Sequence, residues 1–283
     1  FEPSISGSLG GVLCTNHSGP RRFKAGAARD HILGVRGVSG RGEIFKGGAR
    51  VVKNVTGYDM PKLMAGSMGT LAALTTVTFK VLPKPETEES AVMTGLNLER
   101  AVAAMSAAAS SSCEISGAAH LPDGRTVIRL EGIAASVTAR RETLEKLLAS
   151  FGKIEILSGN GSRKLWIGVR DVTAFRDAQY VWRVSLPPSN APAYVHAVSS
   201  SSKPLFLLDW AGGLVWFAFD GEPHVDVVRG VLKEGHASLV RAPEDVRHRV
   251  AVFHPRQPAL AALSKRVKES FDPMGVLNPG RMG

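Results

Sequence analysis

Cysteine and long apolar stretches are both scarce in this chain. Its 283 residues include only Cys14 and Cys113, which lie far apart in the sequence. Two distant cysteines fit a reducing cytosol better than a secreted disulfide scaffold, so we expect a cytoplasmic protein with two buried free thiols. The longest apolar run, 205–219, is interrupted by Asp209 and two glycines. It is shorter than the about 20 residues of a membrane-spanning helix, so no membrane span is predicted.

Several motifs that mark common enzyme classes are also missing. No G-x-G-x-x-G segment joins a strand to a helix and no G-x-x-x-x-G-K-S/T loop occurs, which argues against Rossmann and P-loop sites. The absence of a G-x-S-x-G elbow argues against a serine hydrolase. His224 lies near Asp220, Glu222 and Asp226, but their spacing matches no metal signature. We therefore predict no metal site and interpret this segment as a strand-to-helix turn.

Positive charge and glycine are concentrated in the first third of the chain. The formal net charge is +10, and residues 1–83 hold 11 Lys and Arg against 4 Asp and Glu, together with 14 of the 30 glycines. Glycine lets backbone N–H groups approach an anion closely, so this composition predicts a phosphate-bearing ligand. Basic pairs such as Lys265-Arg266 have no interleaved aromatics and are interpreted as solvated helix faces, not as a nucleic-acid site.

The length and the patterning predict an α+β protein with more than one domain. Short β-branched runs at 31–38, 43–52 and 71–82 predict strands. Pro83-Lys84-Pro85 ends the last strand, and the acidic Glu86, Glu88 and Glu89 that follow predict a linker. Beyond it, Asn97 is predicted to cap an Ala-rich helix, and further helices and strands alternate. We expect domains at 1–84, 85–250 and 251–283, the second being a cap with helices on one face of an antiparallel sheet. The third is predicted to be a helix over 258–271 followed by a tail.

Four glycine-containing segments in the basic third occur in a particular order. They are Gly7-Ser8-Leu9-Gly10-Gly11, Ser18-Gly19-Pro20-Arg21-Arg22, Asn54-Val55-Thr56-Gly57-Tyr58-Asp59, and Gly66-Ser67-Met68-Gly69-Thr70-Leu71. A closing segment, 271–281, reads Phe-Asp-Pro-Met-Gly-Val-Leu-Asn-Pro-Gly-Arg. Each segment alone is a weak signal, since glycine pairs are common in turns.

The ordered set resembles the second half of the FAD-binding (PCMH) domain of the vanillyl-alcohol oxidase type, and 271–281 is similar to the end of FAD-linked 2-hydroxy-acid dehydrogenases. Within this family the chain most resembles the FAD-binding subunits of bacterial glycolate oxidase complexes. Those subunits also resemble it at 209–213, Asp-Trp-Ala-Gly-Gly. The first phosphate loop of such domains lies upstream of these motifs, and the chain begins with Phe1, so we expect that an N-terminal part is missing.

The resemblance implies which residues would hold FAD. Backbone N–H groups at glycines would bind the diphosphate and neighbouring turns would pack under the cofactor, while the tail would return to the flavin. The candidate cofactor-binding residues are Gly10, Gly11, Ser18, Gly19, Gly57, Tyr58, Gly66, Gly69, Asn278 and Arg281. Asp59 either takes part or only caps a helix that begins near Met60.

The implied activity is oxidation of glycolate, a small 2-hydroxy acid, to glyoxylate, with electrons passing to an iron–sulfur subunit. Catalytic subunits carry a G-H-x-G-D-G-N-x-H segment, whereas the stretch interpreted as comparable, 217–224, lacks paired histidines. We therefore name no catalytic residue and expect a homologous FAD-binding subunit to do the substrate chemistry. Membrane association, if any, would come through partner subunits. Two alternatives stay open: a self-sufficient FAD oxidase of another 2-hydroxy acid or alcohol, and a non-catalytic scaffold.

Overall fold

A computed structural model describes residues 7–51 and 57–282 of the chain. The chain divides into two compact units: unit 1 comprises Phe1–Pro83 and Pro255–Gly283, and unit 2 comprises Lys84–His254. The C-terminal segment therefore belongs to the same unit as the glycine-rich first third.

The first part of unit 1 contains short helices around a three-stranded antiparallel sheet. Its elements are α1 (Leu9–Thr15), α2 (Arg22–Ala25), α3 (Ala28–His31), β1 (Ile32–Ser39), β2 (Ile44–Gly48), α4 (Met60–Met64) and β3 (Ala72–Phe79), with sheet order β2-β1-β3. All three strands were predicted, although β2 ends at Gly48, well before the predicted residue 52. Asp59 caps α4, because its carboxylate accepts the Lys62 backbone N–H at 3.2 Å, so the helix-capping interpretation is confirmed.

Unit 2 is built on an eight-stranded antiparallel sheet made of two similar halves. The first half runs β4 (Thr87–Met93), α5 (Leu98–Ala109), β5 (Gly117–His120), β6 (Thr126–Gly132), α6 (Ala134–Leu148) and β7 (Ile154–Ser158). After α7 (Asn160–Arg170), the second half runs β8 (Tyr180–Ser185), α8 (Ala191–Ser201), β9 (Leu205–Asp209), β10 (Leu214–Phe219), α9 (Val225–Gly230) and β11 (His236–Arg241). Short α10 (Glu244–Arg249) follows.

The strand order is β11-β8-β10-β9-β5-β6-β4-β7. Read outward from the central β9 and β5, both halves have the order second, third, first and fourth strand. Each half is a β-α-β-β-α-β repeat, and the two join where His120 on β5 pairs with Leu208 on β9. The repeat was not predicted from the sequence, because the two halves share a fold pattern without an evident sequence repeat.

The linker predicted at 86–89 is wrong. Residues 87–93 form β4, which pairs with both β6 and β7 and is therefore an interior strand. Glu88 is only 5% exposed there, and its Oε1 accepts the Ser162 hydroxyl at 2.6 Å. Ser162 in turn lies 2.7 Å from the Ser90 hydroxyl, which accepts the Trp166 indole N–H. Acidic residues that are hydrogen-bonded in this way can occupy a core strand.

The chain returns to unit 1 through α11 (Pro258–Phe271). Val267 and Phe271, on one face of this helix, pack against a core formed by Leu13, Ile32, Val35, Met64, Leu71 and Ala72. Residues more than 180 positions apart in sequence therefore share one core. This packing places the tail that follows α11 beside the glycine-rich segments.

Candidate functional site

The loop 66–70 lies against the end of α1. The Gly66 N–H donates to the Leu13 carbonyl at 3.1 Å and the Met68 N–H donates to the Cys14 carbonyl at 2.7 Å. Three residues of the loop have positive φ: Gly66 at 84°, Met68 at 53° and Gly69 at 70°. A non-glycine residue in this region is uncommon, so Met68 marks a backbone that its surroundings hold in place.

The C-terminal tail contacts this loop through Asn278. Its side-chain Nδ2 donates to the Met68 carbonyl at 2.8 Å. A Cβ added at Gly69 would lie 2.7 Å from the same Nδ2, so any larger residue there would displace the Asn278 amide. The structure thus brings together three of the predicted residues: Gly66, Gly69 and Asn278.

An ion pair between Lys268 and Asp272 holds the tail in this position. Lys268 Nζ contacts the Asp272 carboxylate and also donates to the carbonyls of Thr70 at 2.8 Å and Leu277 at 3.0 Å. Asp272 accepts the backbone N–H groups of Leu277 and Val276, at 2.8 and 3.1 Å. We call this set the Lys268–Asp272 clamp. It joins α11, the loop 66–70 and the tail within unit 1.

The clamp is tightly enclosed. Asp272 is 2% exposed, and a Cβ at Gly40 would lie 2.1 Å from its Oδ1. Desolvation opposes ionisation of this carboxyl, but the hydrogen bonds from Lys268, Leu277 and Val276 outweigh it and hold the pKa of Asp272 below its usual value. The aspartate is therefore an anion that is fixed by its donors.

Sequence reasoning missed the roles of Lys268, Asp272 and Gly40. The i, i+4 spacing of Lys268 and Asp272 at the end of a helix was visible, but their contacts with Thr70 and Gly40 join segments about 200 residues apart.

The two cysteines were both expected to be buried. Cys113 is buried, but Cys14 is only half-buried. Desolvation raises the pKa of the Cys14 thiol, and its hydrogen bonds with Ser67 and Gly69 act in the opposite direction.

Gly10 and Gly11 lie in the first turn of α1. Ser8 caps this helix, since its hydroxyl oxygen accepts the Gly11 N–H at 3.1 Å. A Cβ placed on Gly10 would meet no atom within 4 Å, so this stretch of backbone is open to an approaching group. Ser18 is different, because it is 8% exposed and its hydroxyl donates to the Asn16 carbonyl. Gly19, next to it, is buried and accepts the Arg22 N–H.

Gly57 and Tyr58 form an exposed turn before α4. Gly57 has φ 77° and open space around its Cβ position, and the Tyr58 side chain is 93% exposed. The preceding part of the motif, residues 52–56, lies outside the described residues. Arg281 is exposed, and its backbone N–H donates to the Asn278 carbonyl at 3.3 Å. Among the described residues, no hydrogen bond, ion pair or ring contact joins Tyr58 or the Arg281 side chain to Gly66, Gly69 or Asn278.

The residues present fit a flavin dinucleotide in three respects. The backbone is open at Gly10 and Gly57, Tyr58 offers an aromatic ring to a ligand, and unit 1 carries 16 Lys and Arg against 6 Asp and Glu. An anionic dinucleotide needs close backbone approach, an apolar surface and positive potential. FAD is therefore compatible with this unit.

Unit 2 has a neutral charge balance and was interpreted as having a strand-to-helix turn at His224, not a metal site. His224 precedes α9, in the strand-to-helix turn that the sequence predicts. It has φ 49°, and its ring lies 4.9 Å from that of Phe219. It lines a cavity of about 390 Å³ together with Asp177, Lys203 and Asp220. Among residues 7–51 and 57–282, no group of three or more His, Cys, Asp or Glu is placed to hold a metal ion. In the same ranges, no helix is both long and apolar enough to cross a bilayer.

The chain is similar in sequence to several known proteins. Residues 246–282 match the family model "FAD linked oxidases, C-terminal domain". The chain is 34% identical to "Glycolate oxidase subunit GlcE" of Escherichia coli, over 96% of this chain and 71% of that protein. It is 35% identical to "Glycolate oxidase subunit GlcD" of Bacillus subtilis, over 35% of this chain and 21% of that protein.

Among solved structures, the chain is similar to a vanillyl-alcohol oxidase (VAO)-type flavoprotein of Myceliophthora thermophila, with a TM-score of 0.57 and 12% identity. The match covers 95% of this chain but only 59% of that structure, less than two thirds of its length. At this identity the likeness concerns the fold alone.

Proposed function

Because this chain belongs to the family of FAD-linked oxidases that includes glycolate oxidase subunit GlcE, we propose that it is the FAD-binding subunit of a glycolate oxidase complex. FAD is the cofactor that defines this family. The observation that carries the proposal is the docking of the tail, through Asn278, on the loop that contains Gly66 and Gly69. This contact places the family's closing motif beside the glycine-rich segments that resemble its FAD-binding domain.

In the proposed arrangement each part of unit 1 has a distinct task. The open backbone at Gly10 and the neighbouring Gly11, with Ser18 and Gly19, would face the diphosphate, and Gly57 with Tyr58 would cover another part of the cofactor. The Lys268–Asp272 clamp would hold Asn278, and beyond it Arg281, on the flavin side. A cation at Arg281 would favour negative charge there.

The proposed reaction is the two-electron oxidation of glycolate to glyoxylate. Bound FAD would supply the acceptor for the hydride that leaves C2 of glycolate, while the hydroxyl proton passes to a base. This chain's stretch 217–224 has only His224 and no paired histidines. We therefore assign the substrate base to a homologous FAD-binding subunit and give this chain the role of carrying FAD and electrons. The electrons would leave through an iron–sulfur subunit.

The cofactor role can be tested with Gly10→Val in the full-length protein. A side chain at Gly10 meets no atom of the chain within 4 Å, so the variant should fold. It would nevertheless occupy the space that a phosphate needs, and we expect the flavin content of the purified protein to fall at least about tenfold. Gly230→Val is the matched control, because Gly230 is also helical and has open space around its Cβ position, but lies in unit 2. Equal flavin content in wild type and Gly10→Val would contradict the proposed binding site.

A further inference from the structure

His31 is a buried histidine whose two ring nitrogens both face backbone carbonyls. It is the last residue of α3 and is 4% exposed. Its Nε2 lies 2.6 Å from the Ala25 carbonyl oxygen, and its Nδ1 lies 3.2 Å from the Lys80 carbonyl oxygen. Ala25 ends α2, so its carbonyl has no partner within that helix. The ring therefore connects the end of α2 to the residue that follows β3.

The chemistry of these two partners indicates the protonation of the ring. A carbonyl oxygen only accepts hydrogen bonds, and a neutral imidazole has one N–H donor and one unprotonated nitrogen. A neutral His31 would therefore turn a nitrogen lone pair towards one of the two carbonyls. The imidazolium form has an N–H at both nitrogens and satisfies both carbonyls. Hydrogen bonds from a cationic donor are also stronger than those from a neutral one.

His120 is a second buried histidine, and its partner is of a different kind. It is 5% exposed, and its Nδ1 lies 2.9 Å from the Thr126 hydroxyl, which can donate or accept a hydrogen bond. This contact does not require protons on both ring nitrogens, and desolvation lowers the pKa of His120. A neutral ring therefore suits His120. Equal burial with different partners makes His120 an internal comparison for His31.

The His31 ring closes a segment that contains two of the proposed FAD-binding residues. This segment, 16–25, includes the pair Ser18-Gly19, and α3 holds both of its ends. At one end, the Arg29 backbone N–H donates to Asn16 Oδ1 at 3.0 Å. At the other end, the ring of His31 contacts the last carbonyl of the segment. The conformation of the segment therefore depends on the protons of the His31 ring.

The charges near α3 link protonation of His31 to binding of an anion. Among the described residues, the charged and titratable side chains of α3 and of the segments that contact it are Cys14, Arg22, Lys24, Arg29, Asp30, Asp59, Lys62 and Lys80. Five of these are cations and two are anions. This excess disfavours a further cation, and the diphosphate of FAD would reduce the excess. Protonation of His31 and binding of FAD would therefore favour each other, since such a linkage is reciprocal.

We propose that His31 is a doubly protonated positioning residue, whose two ring N–H groups hold the segment 16–25 in the conformation that binds FAD. The role in cofactor binding rests on the proposed function, whereas the protonation rests on the two carbonyl partners of the ring. His31 acts through the Ser18-Gly19 pair and not by contact with the cofactor. When the ring loses one of its protons, one of its two connections opens and the affinity for FAD falls.

The protonation is tested by NMR of the full-length protein with nitrogen-15-labelled histidine, loaded with FAD at about pH 7, where an ordinary histidine is mostly neutral. Histidine-to-glutamine variants assign the ring signals. We expect protons on both ring nitrogens of His31 and on only one ring nitrogen of His120. A neutral His31 in the FAD-loaded protein would overturn the proposal.

The positioning role is tested by the FAD affinity of the flavin-free full-length protein between about pH 6 and about pH 9. Glutamine is polar but does not titrate, so His31→Gln should bind FAD about tenfold more weakly at the low end of this range, the value of one charge-assisted hydrogen bond. The wild-type affinity should fall as the pH rises, and the profile of His31→Gln should be flatter. His120→Gln is the matched control and should follow the wild-type profile.

A second variant opens the other end of the segment. Asn16→Gly removes the acceptor for the Arg29 N–H, and glycine tolerates the φ of 50° at this position. It should weaken FAD binding but keep the wild-type pH dependence, because His31 is intact. Thermal unfolding shows whether each variant folds, and Asn16→Gly carries the affinity test if His31→Gln does not.

Two results of the affinity measurements would overturn the positioning role. One is a wild-type FAD affinity in the folded variants of His31 and Asn16, and the other is an equal pH dependence in wild type and His31→Gln. Failure of the proposed function is distinguishable from these. Wild-type protein that binds no FAD would overturn the proposed function together with the positioning role, whereas FAD-binding protein with a neutral His31 overturns the positioning role alone.

Discussion

The contact between Gly69 and Asn278 gives a prediction whose size follows from the structure. Gly69→Ala places a Cβ 2.7 Å from Asn278 Nδ2 and forces alanine to adopt φ 70°. The left-handed backbone costs about 1–2 kcal/mol for a residue with a Cβ. Displacing Asn278 also breaks its hydrogen bond to Met68, which at an exposed site contributes about 0.5–1 kcal/mol. We therefore expect the free energy of unfolding of unit 1 to fall by about 2 kcal/mol.

The assay separates the two units. All four tryptophans, Trp166, Trp182, Trp210 and Trp216, lie in unit 2, so tryptophan fluorescence in urea follows unit 2 while far-ultraviolet circular dichroism follows both. Only the circular dichroism transition should shift in Gly69→Ala. The control is Gly42→Ala, also in unit 1, with φ 80° and no atom within 4 Å of the new Cβ.

A double variant isolates the tail contact. Once Asn278→Ala removes the clashing amide, G69A/N278A should be no less stable than Gly69→Ala alone, so the two substitutions should be non-additive. If Gly69→Ala costs no more than Gly42→Ala, or if the double variant is simply additive, then Asn278 does not pack on Gly69 and the reasoning fails.

Three further outcomes are expected. Lys268→Met removes the donor that joins Thr70, Asp272 and Leu277, so limited proteolysis should cleave the tail faster than in the wild type. Lys268→Arg should restore partial protection. Equal cleavage rates in Lys268→Met and the wild type would argue against the clamp. Gly117→Ala puts a Cβ 2.8 Å from the Trp166 ring and should lower the free energy of unfolding of unit 2 by about 1–3 kcal/mol. Fluorescence should show this loss, and Gly230→Ala, with no atom within 4 Å of the new Cβ, should not show it. Desolvation holds the pKa of buried His120 below its ordinary 6.5. Below pH 6.5 the unfolded chain therefore binds more protons than the folded chain, so the stability present above pH 6.5 should fall as the pH drops below that value. A pH profile of stability that is equally steep in His120→Gln would contradict this.

Local signals in the sequence were enough to find many of the elements but not their long-range contacts. Asn97 was expected to cap α5 and does so, accepting the Arg100 N–H at 2.9 Å, because capping depends on residues three positions apart. The acidic residues near 88 were interpreted as a linker, since nothing local shows that Glu88 meets Ser162, 74 positions away. A buried carboxylate is recognisable only once its partner is known.

In the candidate site, too, some residues were predicted and the long-range contacts that hold them were not. Gly66, Gly69 and Asn278 were proposed through the resemblance, and the structure brings them together. The Lys268–Asp272 clamp that holds Asn278 in place was not anticipated, because its contacts depend on how α11 packs on the core of unit 1. That all ten proposed residues contact FAD stays a prediction.

The most direct test of the central claim is the visible absorption spectrum of the purified full-length protein before and after anaerobic glycolate, without and then with its partner subunits. We expect the spectrum of bound oxidised flavin, unchanged by glycolate until the partners are added and bleached afterwards. A colourless protein would contradict the FAD-binding role and favour a scaffold, and bleaching by glycolate alone would make this chain a self-sufficient oxidase.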